Sequence, residues 1–337
     1  MGDNQRMSSV ARVEIHPSQF PAAVHRDLLE SLRTRRVNHK FHYDSAKQTL
    51  KWLALHQAHS PSRNDADCAA TYDRAFAAAV ERIKAAQIHV VGLGCGGGQK
   101  DARLLKLLQA QGMKPSYTPS DVSMAMVLVA RDATLPVVGD ENCSPLACDL
   151  ATAGDLPAVL AHRATGAARL LTFFGMIPNF EPADILPKLT SLVRADDWLL
   201  FSANLAPGAD YAAGVQTILP QYDNELTREW LITFLLDLGV ERSDGELRFR
   251  IEDVAGLKRV VAKFHFVRQR TIRVDGEQFD FQPSDAIQLF FSYRYTPERV
   301  RVALARHALE VYDQWITKSG EEGVFLCQRS GGSEERR

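Results

Sequence analysis

The chain has 337 residues, 45% of them apolar and 24% charged, and a formal net charge of −1. Such a length holds one large or two ordinary globular domains. A near-neutral field recruits neither nucleic acid nor an anionic membrane, and no apolar run nears the roughly 20 residues needed to cross a bilayer, so neither partner is expected.

In chain order, helices are expected over 21–36 and 45–56, with the aromatic-rich Phe41-His-Tyr-Asp44 between them. An alanine-rich helix follows over 71–86. The apolar strand Ile88–Val91 then runs into glycines at 92, 94, 96, 97 and 98 and a helix from Asp101. Strand, glycine-rich turn and helix form the first unit of a nucleotide-binding α/β domain, where glycine permits positive φ and close approach of backbone to ligand. Gly92-x-Gly94-x-x-Gly97 fits the dinucleotide pattern, and Gly92-x-Gly94-x-Gly96 fits that of S-adenosylmethionine (SAM) methyltransferases. Spacing alone leaves both open.

A second strand ends at Asp121, a helix covers 122–133, and a third short strand ends at Asp149. A strand over 170–174 leads into Gly175-Met-Ile-Pro-Asn179, a helix covers 183–193, and a strand covers 197–204. This alternation predicts a doubly wound, mainly parallel Rossmann-type sheet. From residue 206 a long helix (225–238) precedes strand-like stretches (258–270, 271–274, 278–281) with an Asp275-Gly276 hairpin turn. A helix over 296–307 and a strand over 323–328 are expected to return to the sheet, and 331–337 reads as a disordered tail.

Ligands of such sheets sit at the carboxyl ends of the strands. Asp121 is placed to accept from ribose hydroxyls. Asp149 is placed to accept from an adenine amino group, with the Leu150 N–H beside it, and Lys100 suits a methionyl carboxylate. An acid in the third position favours SAM. No His/Asp or Tyr-x-x-x-Lys pair of an NAD-dependent oxidoreductase accompanies the glycines. The five cysteines (68, 95, 143, 148, 327) are odd in number and include no CxxC pair, and the histidines 39, 42, 56 and 59 carry no metal motif. A reduced cytoplasmic protein without a metal centre is therefore expected.

These pieces together make the sequence resemble the histidine Nα-methyltransferase family of ergothioneine biosynthesis, which includes fungal N-methyltransferases of tryptophan derivatives. The likeness rests on Phe41-His-Tyr-Asp44 (family FYD), Ser60-Pro-Ser-Arg63 (YPTR), the glycines with Lys100, and Tyr117-Thr-Pro-Ser-Asp-Val-Ser123 (Y-x-P-x-D-I-S). It continues through Cys148-Asp149, Phe173-Phe-Gly175 with Asn179 (FLG…IGN), Tyr222-Asp223 and Ser292-Tyr-Arg-Tyr295 (SYKY). The resemblance implies a SAM-dependent N-methyltransferase of secondary metabolism, monomeric, acting on a small amine or amino acid. It implies a SAM-binding domain of residues 62–205 and 294–330 and an α+β substrate-binding domain of 8–61 and 206–293. Tyr43 would lie at the methyl-transfer site, while Gly175, Asn179 and Tyr222 would hold the amino and carboxylate groups. The chain departs from the family where it binds the imidazole: Phe290-Phe291-Ser292 replaces Glu-x-Ser, and His59 or Ser60 replaces the tyrosine of YPTR. The 175–179 turn is also one residue short, and Tyr222 follows an insertion. Phenylalanine can neither accept from a ring N–H nor balance its charge. The expected substrate is therefore not histidine but a molecule with an apolar or aromatic side chain. A true histidine enzyme and a non-catalytic SAM-binding protein are the alternatives.

Overall fold

The apolar runs between residues 87 and 204 form the buried strands of one large sheet in the computed structural model, which describes residues 10–163 and 166–330; the tail expected at 331–337 lies outside them. A two-residue strand β1 (Glu14–Ile15) precedes helices α1 (Pro21–Thr34), α2 (Ala46–His59), α3 (Pro61–Asn64) and α4 (Ala66–Arg82). Alternation follows: β2 (Gln87–Leu93), α5 (Gln99–Ala110), β3 (Lys114–Asp121), α6 (Met124–Val138), β4 (Leu146–Ala147) and α7 (Leu156–Arg163). It continues with β5 (Ala168–Phe173), α8 (Pro182–Leu192) and β6 (Trp198–Asn204). Next come α9 (Tyr211–Tyr222), α10 (Glu225–Asp237), β7 (Gly245–Val254), β8 (Leu257–Phe266), β9 (Arg270–Val274), β10 (Glu277–Phe281) and β11 (Ala286–Tyr293). The chain closes with α11 (Pro297–Ala305), β12 (Leu309–Ile316) and β13 (Glu322–Arg329).

The large sheet has the order β1-β4-β3-β2-β5-β6-β13-β12. Strands β1 to β6 pair in parallel and β13 runs antiparallel beside β6. The doubly wound expectation is met. Its central strands are near-continuous apolar runs because both faces are covered. Val91, Leu171, Phe173 and Phe201 pack on one face, and Ile88, Val90, Leu170 and Leu200 on the other. A smaller sheet of order β11-β8-β7 packs with α1 and α10 around a third core that contains Trp230, Phe264 and Phe290. The β9–β10 hairpin turns at Asp275-Gly276, both at positive φ, as read from the sequence.

Caps explain where the helices begin. Asp65 accepts from the N–H groups of Asp67 and Cys68, so α4 starts five residues earlier than apolar spacing suggested. Ser123 caps α6 and Thr296 caps α11, whose first residue is Pro297. The sequence reading missed α9, β7 and β12. β7 does alternate Leu247, Phe249 and Ile251 with charged residues, a two-residue period that the sequence reading overlooked, and in β12 a bulge between Val311 and Asp313 breaks the period. It also missed β11, in which a bulge at Leu289 breaks the two-residue period between Gln288 and Phe290.

Candidate functional site

The carboxyl ends of β2, β3, β4, β5 and β6 open onto one cavity of about 440 Å³. Leu93, Asp121, Asp149, Phe174 and Asn204 stand on its wall at the ends of those strands. The floor is the turn after β2. Gly94, Gly96 and Gly98 all have positive φ, and Gly98 in the left-handed region is the N-cap of α5. A Cβ on Gly94 would come within 2.6 Å of the Met176 side chain, and one on Gly96 within 3.2 Å of the Trp52 ring. The turn is therefore stripped for close approach to a ligand. Gly92 serves differently. It is not on the wall, and a Cβ there would strike the Asp101 carboxylate at 2.6 Å and the Tyr117 hydroxyl at 2.7 Å. That space holds a buried hydrogen-bonded group in which Tyr117 and Thr172 donate to Asp101 at 2.6 and 2.8 Å.

Two carboxylates face the cavity differently. Asp121 accepts from the N–H groups of Ser123 (3.0 Å) and Gly96 (3.2 Å). Burial nevertheless raises it from 3.8 to about 6. Asp149 accepts from the Ala151 N–H at 2.9 Å through Oδ1, while its buried Oδ2 has no hydrogen-bond partner. Lys40 Nζ stands 3.6 Å from that oxygen, and the backbone N–H of Asp149 donates to Ser18 Oγ at 3.0 Å. Beyond the Lys40 ion pair Oδ2 has no hydrogen bond, and a buried acceptor left so on a cavity wall is costly unless a ligand supplies the donor. The exocyclic amine of adenine is such a donor. With the Leu150 backbone beside it and Asp121 in reach of a ribose, this donor set fits an adenosyl group.

The opposite wall is the face of α2 formed by Trp52, Leu55, His56 and His59, together with Tyr43, His39 and Arg63. Trp52 and His56 stack at 4.7 Å, and Arg63 Nε donates to His56 Nδ1 at 3.0 Å, which leaves the ring proton on Nε2. Burial, aided by the Lys100 and Arg63 charges, lowers His56 to about 3; burial also lowers His39 to about 4. Both rings are neutral at physiological pH. Tyr43 is pushed upward by burial and then by the charge of Asp121, so its phenol keeps its proton. Burial likewise raises the Cys95 thiol, which removes it as a thiolate nucleophile.

Of the residues singled out from the sequence, the cavity wall unites Tyr43, His59, Gly94, Gly96, Lys100, Asp121, Asp149, Leu150, Gly175 and Asn179. Tyr222, Phe290 and Ser292 stand behind it. Tyr222 donates to Ser292 Oγ at 2.7 Å and accepts from Arg294 at 2.9 Å. Phe290 sits between the Tyr222 and Trp230 rings, at 6.0 and 5.8 Å, and Trp230 reaches Tyr43 at 5.4 Å. Asn179 donates to the Phe291 carbonyl at 2.8 Å, tying this cluster to the cavity. The sequence reading overlooked Trp52, which follows the i, i+3, i+4, i+7 spacing of the α2 face, and also Met176 and Glu322, which carry no local signal.

The sequence profile of a family described as histidine-specific, SAM-dependent methyltransferase matches residues 24–329. Among solved structures, an S-adenosylmethionine-dependent methyltransferase from Clostridium acetobutylicum is similar over 84% of this chain and 99% of its own, at 14% identity and a TM-score of 0.43. The CMeT domain of the citrinin polyketide synthase is similar over 85% and 57%, at 12% identity and a TM-score of 0.45. The CcbJ methyltransferase from Streptomyces caelestis is similar over 77% and 94%, at 12% identity and a TM-score of 0.38. No curated protein sequence matches.

Proposed function

The chain belongs to the histidine-specific, SAM-dependent methyltransferase family and is a SAM-dependent methyltransferase, and from that premise we propose that it methylates the amino group of a small amino acid or derivative other than histidine, with an apolar or aromatic side chain. The observation that carries the reading is Phe290. Where the resemblance calls for a glutamate, an aromatic ring packs between Tyr222 and Trp230, and Ser292 beside it is engaged by Tyr222. Phe290 stands behind the cavity wall and reaches it through Trp230 and Tyr43, so position 290 supplies no anionic acceptor for an imidazole N–H.

In this reading residues 62–205 and 294–330 form the cofactor domain, which also lends Gly175 and Asn179 to the acceptor, and 8–61 with 206–293 form the substrate domain, in a cytoplasmic monomer. Gly94, Gly96, Lys100, Asp121, Asp149 and Leu150 would bind SAM, which supplies an electrophilic methyl group on a sulfonium sulfur. Asn179, fixed through its amide N–H on Phe291, offers Oδ1 to an ammonium, and Gly175 offers its carbonyl. The acceptor loses its ammonium proton to water before transfer, and the neutral Tyr43 hydroxyl oxygen accepts one amine N–H, which aims the lone pair at the methyl carbon. Orientation is the main service such a displacement needs, worth up to about 7–11 kcal/mol. The burial that raises Tyr43 also keeps the wall apolar as the sulfonium charge is lost.

The test is conversion of SAM to S-adenosylhomocysteine with tryptophan, phenylalanine, simple amines and histidine. We expect tryptophan or phenylalanine to exceed histidine by roughly a hundredfold or more in kcat/KM, since a site lacking its polar partners discriminates strongly. Histidine as the best acceptor refutes the reading. Tight S-adenosylhomocysteine binding with no turnover of any acceptor favours the non-catalytic alternative.

A further inference from the structure

The cation at the cofactor end of the cavity and the glycine at the acceptor end are joined through the protein interior. Lys100 Nζ donates to the Tyr72 hydroxyl at 2.8 Å, Tyr72 lies 2.9 Å from Ser202 Oγ, and Ser202 Oγ accepts from the Gly175 N–H at 2.8 Å. Tyr72 and Ser202 are fully buried. Tyr72 also hydrogen-bonds Glu322, which lines the cavity and stands 3.7 Å from Lys100. One hydroxyl has one proton, and the carboxylate is the strongest acceptor present. Tyr72 therefore donates to Glu322 and accepts from Lys100 and from Ser202. All the donors converge on one oxygen, and burial with the Glu322 charge holds the Tyr72 proton in place.

We propose that Tyr72 is a positioning residue that holds Lys100 toward the amino-acid moiety of the cofactor and away from a collapsed ion pair with Glu322, and that through Ser202 it sets the acceptor turn at Gly175. The proposal rests on the reading of Lys100 as the ligand of the methionyl carboxylate. Its geometry has a physical purpose. A Lys100 ammonium 3.7 Å from a carboxylate would otherwise spend its charge on that partner, and the Tyr72 hydroxyl stands between them as acceptor for one and donor for the other. Lys100 also lies 4.2 Å over the Tyr72 ring, which confines its stem. None of Tyr72, Ser202 and Glu322 belongs to a sequence motif; they come from α4, β6 and β13 and meet only in the folded chain.

Calorimetry of Tyr72→Phe with S-adenosylhomocysteine and with 5′-methylthioadenosine, which lacks the amino and carboxylate groups, tests this. We expect roughly tenfold weaker S-adenosylhomocysteine binding, the scale of one hydrogen bond to a charged group, with methylthioadenosine unchanged. In a Lys100→Met background, Tyr72→Phe should add no further loss. Equal weakening of both ligands, or a further tenfold loss without Lys100, overturns the proposal. If Tyr72→Phe does not fold, Ser202→Ala should lower the affinity ratio of the two ligands roughly threefold, for one lost neutral hydrogen bond, and an unchanged ratio overturns it. A wild-type protein that binds neither ligand refutes instead the assignment of the cavity to SAM.

Discussion

Ionisation of Asp121 should control both cofactor affinity and part of the fold's stability. Burial holds its carboxyl near 6 instead of the ordinary 3.8. Well below pH 3.8 the group is protonated in the folded and unfolded chain alike. Between 4 and 6 the unfolded chain releases the proton and the folded chain keeps it, so stability falls as pH rises and levels off above 6. The whole difference is about 3 kcal/mol. Binding runs the other way. Ribose hydroxyls donate to an ionised carboxylate, so S-adenosylhomocysteine affinity should rise about tenfold between pH 5 and 7.5, with a proton released at the lower pH. His39 and His56, at about 4 and 3, stay neutral throughout that window. The perturbation is Asp121→Asn. The variant should bind roughly 10–100-fold more weakly at pH 7.5, since hydrogen bonds to a charged group are lost, and its affinity should vary less with pH. Its unfolding free energy relative to the wild type should rise by about 2.4 kcal/mol from pH 4 to 7.5 in the ligand-free protein. Calorimetry and urea unfolding at the three pH values measure both quantities. The same pH dependence in wild type and variant refutes the reasoning.

Gly94→Ala places a side chain at φ +64 and 2.6 Å from Met176. It should cost about 1–2 kcal/mol of stability from the left-handed backbone alone and abolish S-adenosylhomocysteine binding, as urea unfolding and calorimetry would show; wild-type affinity would mean the turn does not carry the ligand. Asp149→Asn turns the orphaned acceptor at Oδ2 into a donor, so preference should shift from S-adenosyl- to S-inosylhomocysteine, read by competition binding. Unchanged preference removes Asp149 from the adenine. Phe290→Glu should raise the histidine-to-tryptophan turnover ratio while costing about 3–5 kcal/mol from the lost aromatic packing. An unchanged ratio in a folded variant disconnects position 290 from acceptor choice.

The part of the candidate site read as holding the cofactor was legible as a cavity wall because it depends on short-range sequence. Gly94, Gly96 and Lys100 lie within one strand–turn–helix unit, and Asp121 and Asp149 each follow a strand whose end the alternation predicts. Tyr43 and Asn179 came from motifs that the resemblance supplied. Other features were hidden for definable reasons. The bulge at Leu289 adds a residue without any compositional mark, and it directs Phe290 and Ser292 toward Tyr222. Gly92, read as part of a cofactor turn, makes room for the Asp101–Tyr117–Thr172 group, which only packing reveals.

The sequence by itself determined the parallel sheet, the glycine turn and the carboxylates at the strand ends, because periodicity, turn chemistry and caps act over a few residues. Only the tertiary structure decided which side chains share the cavity. Trp52 and His56 from α2 and Glu322 from the last strand meet there, with Tyr72 from α4 buried behind Lys100 and Glu322, through burial of faces far apart in the chain, and no local pattern encodes that meeting. The glycine turn and its carboxylates are written in neighbours along the sequence; the opposite wall of the cavity is made by contacts across it.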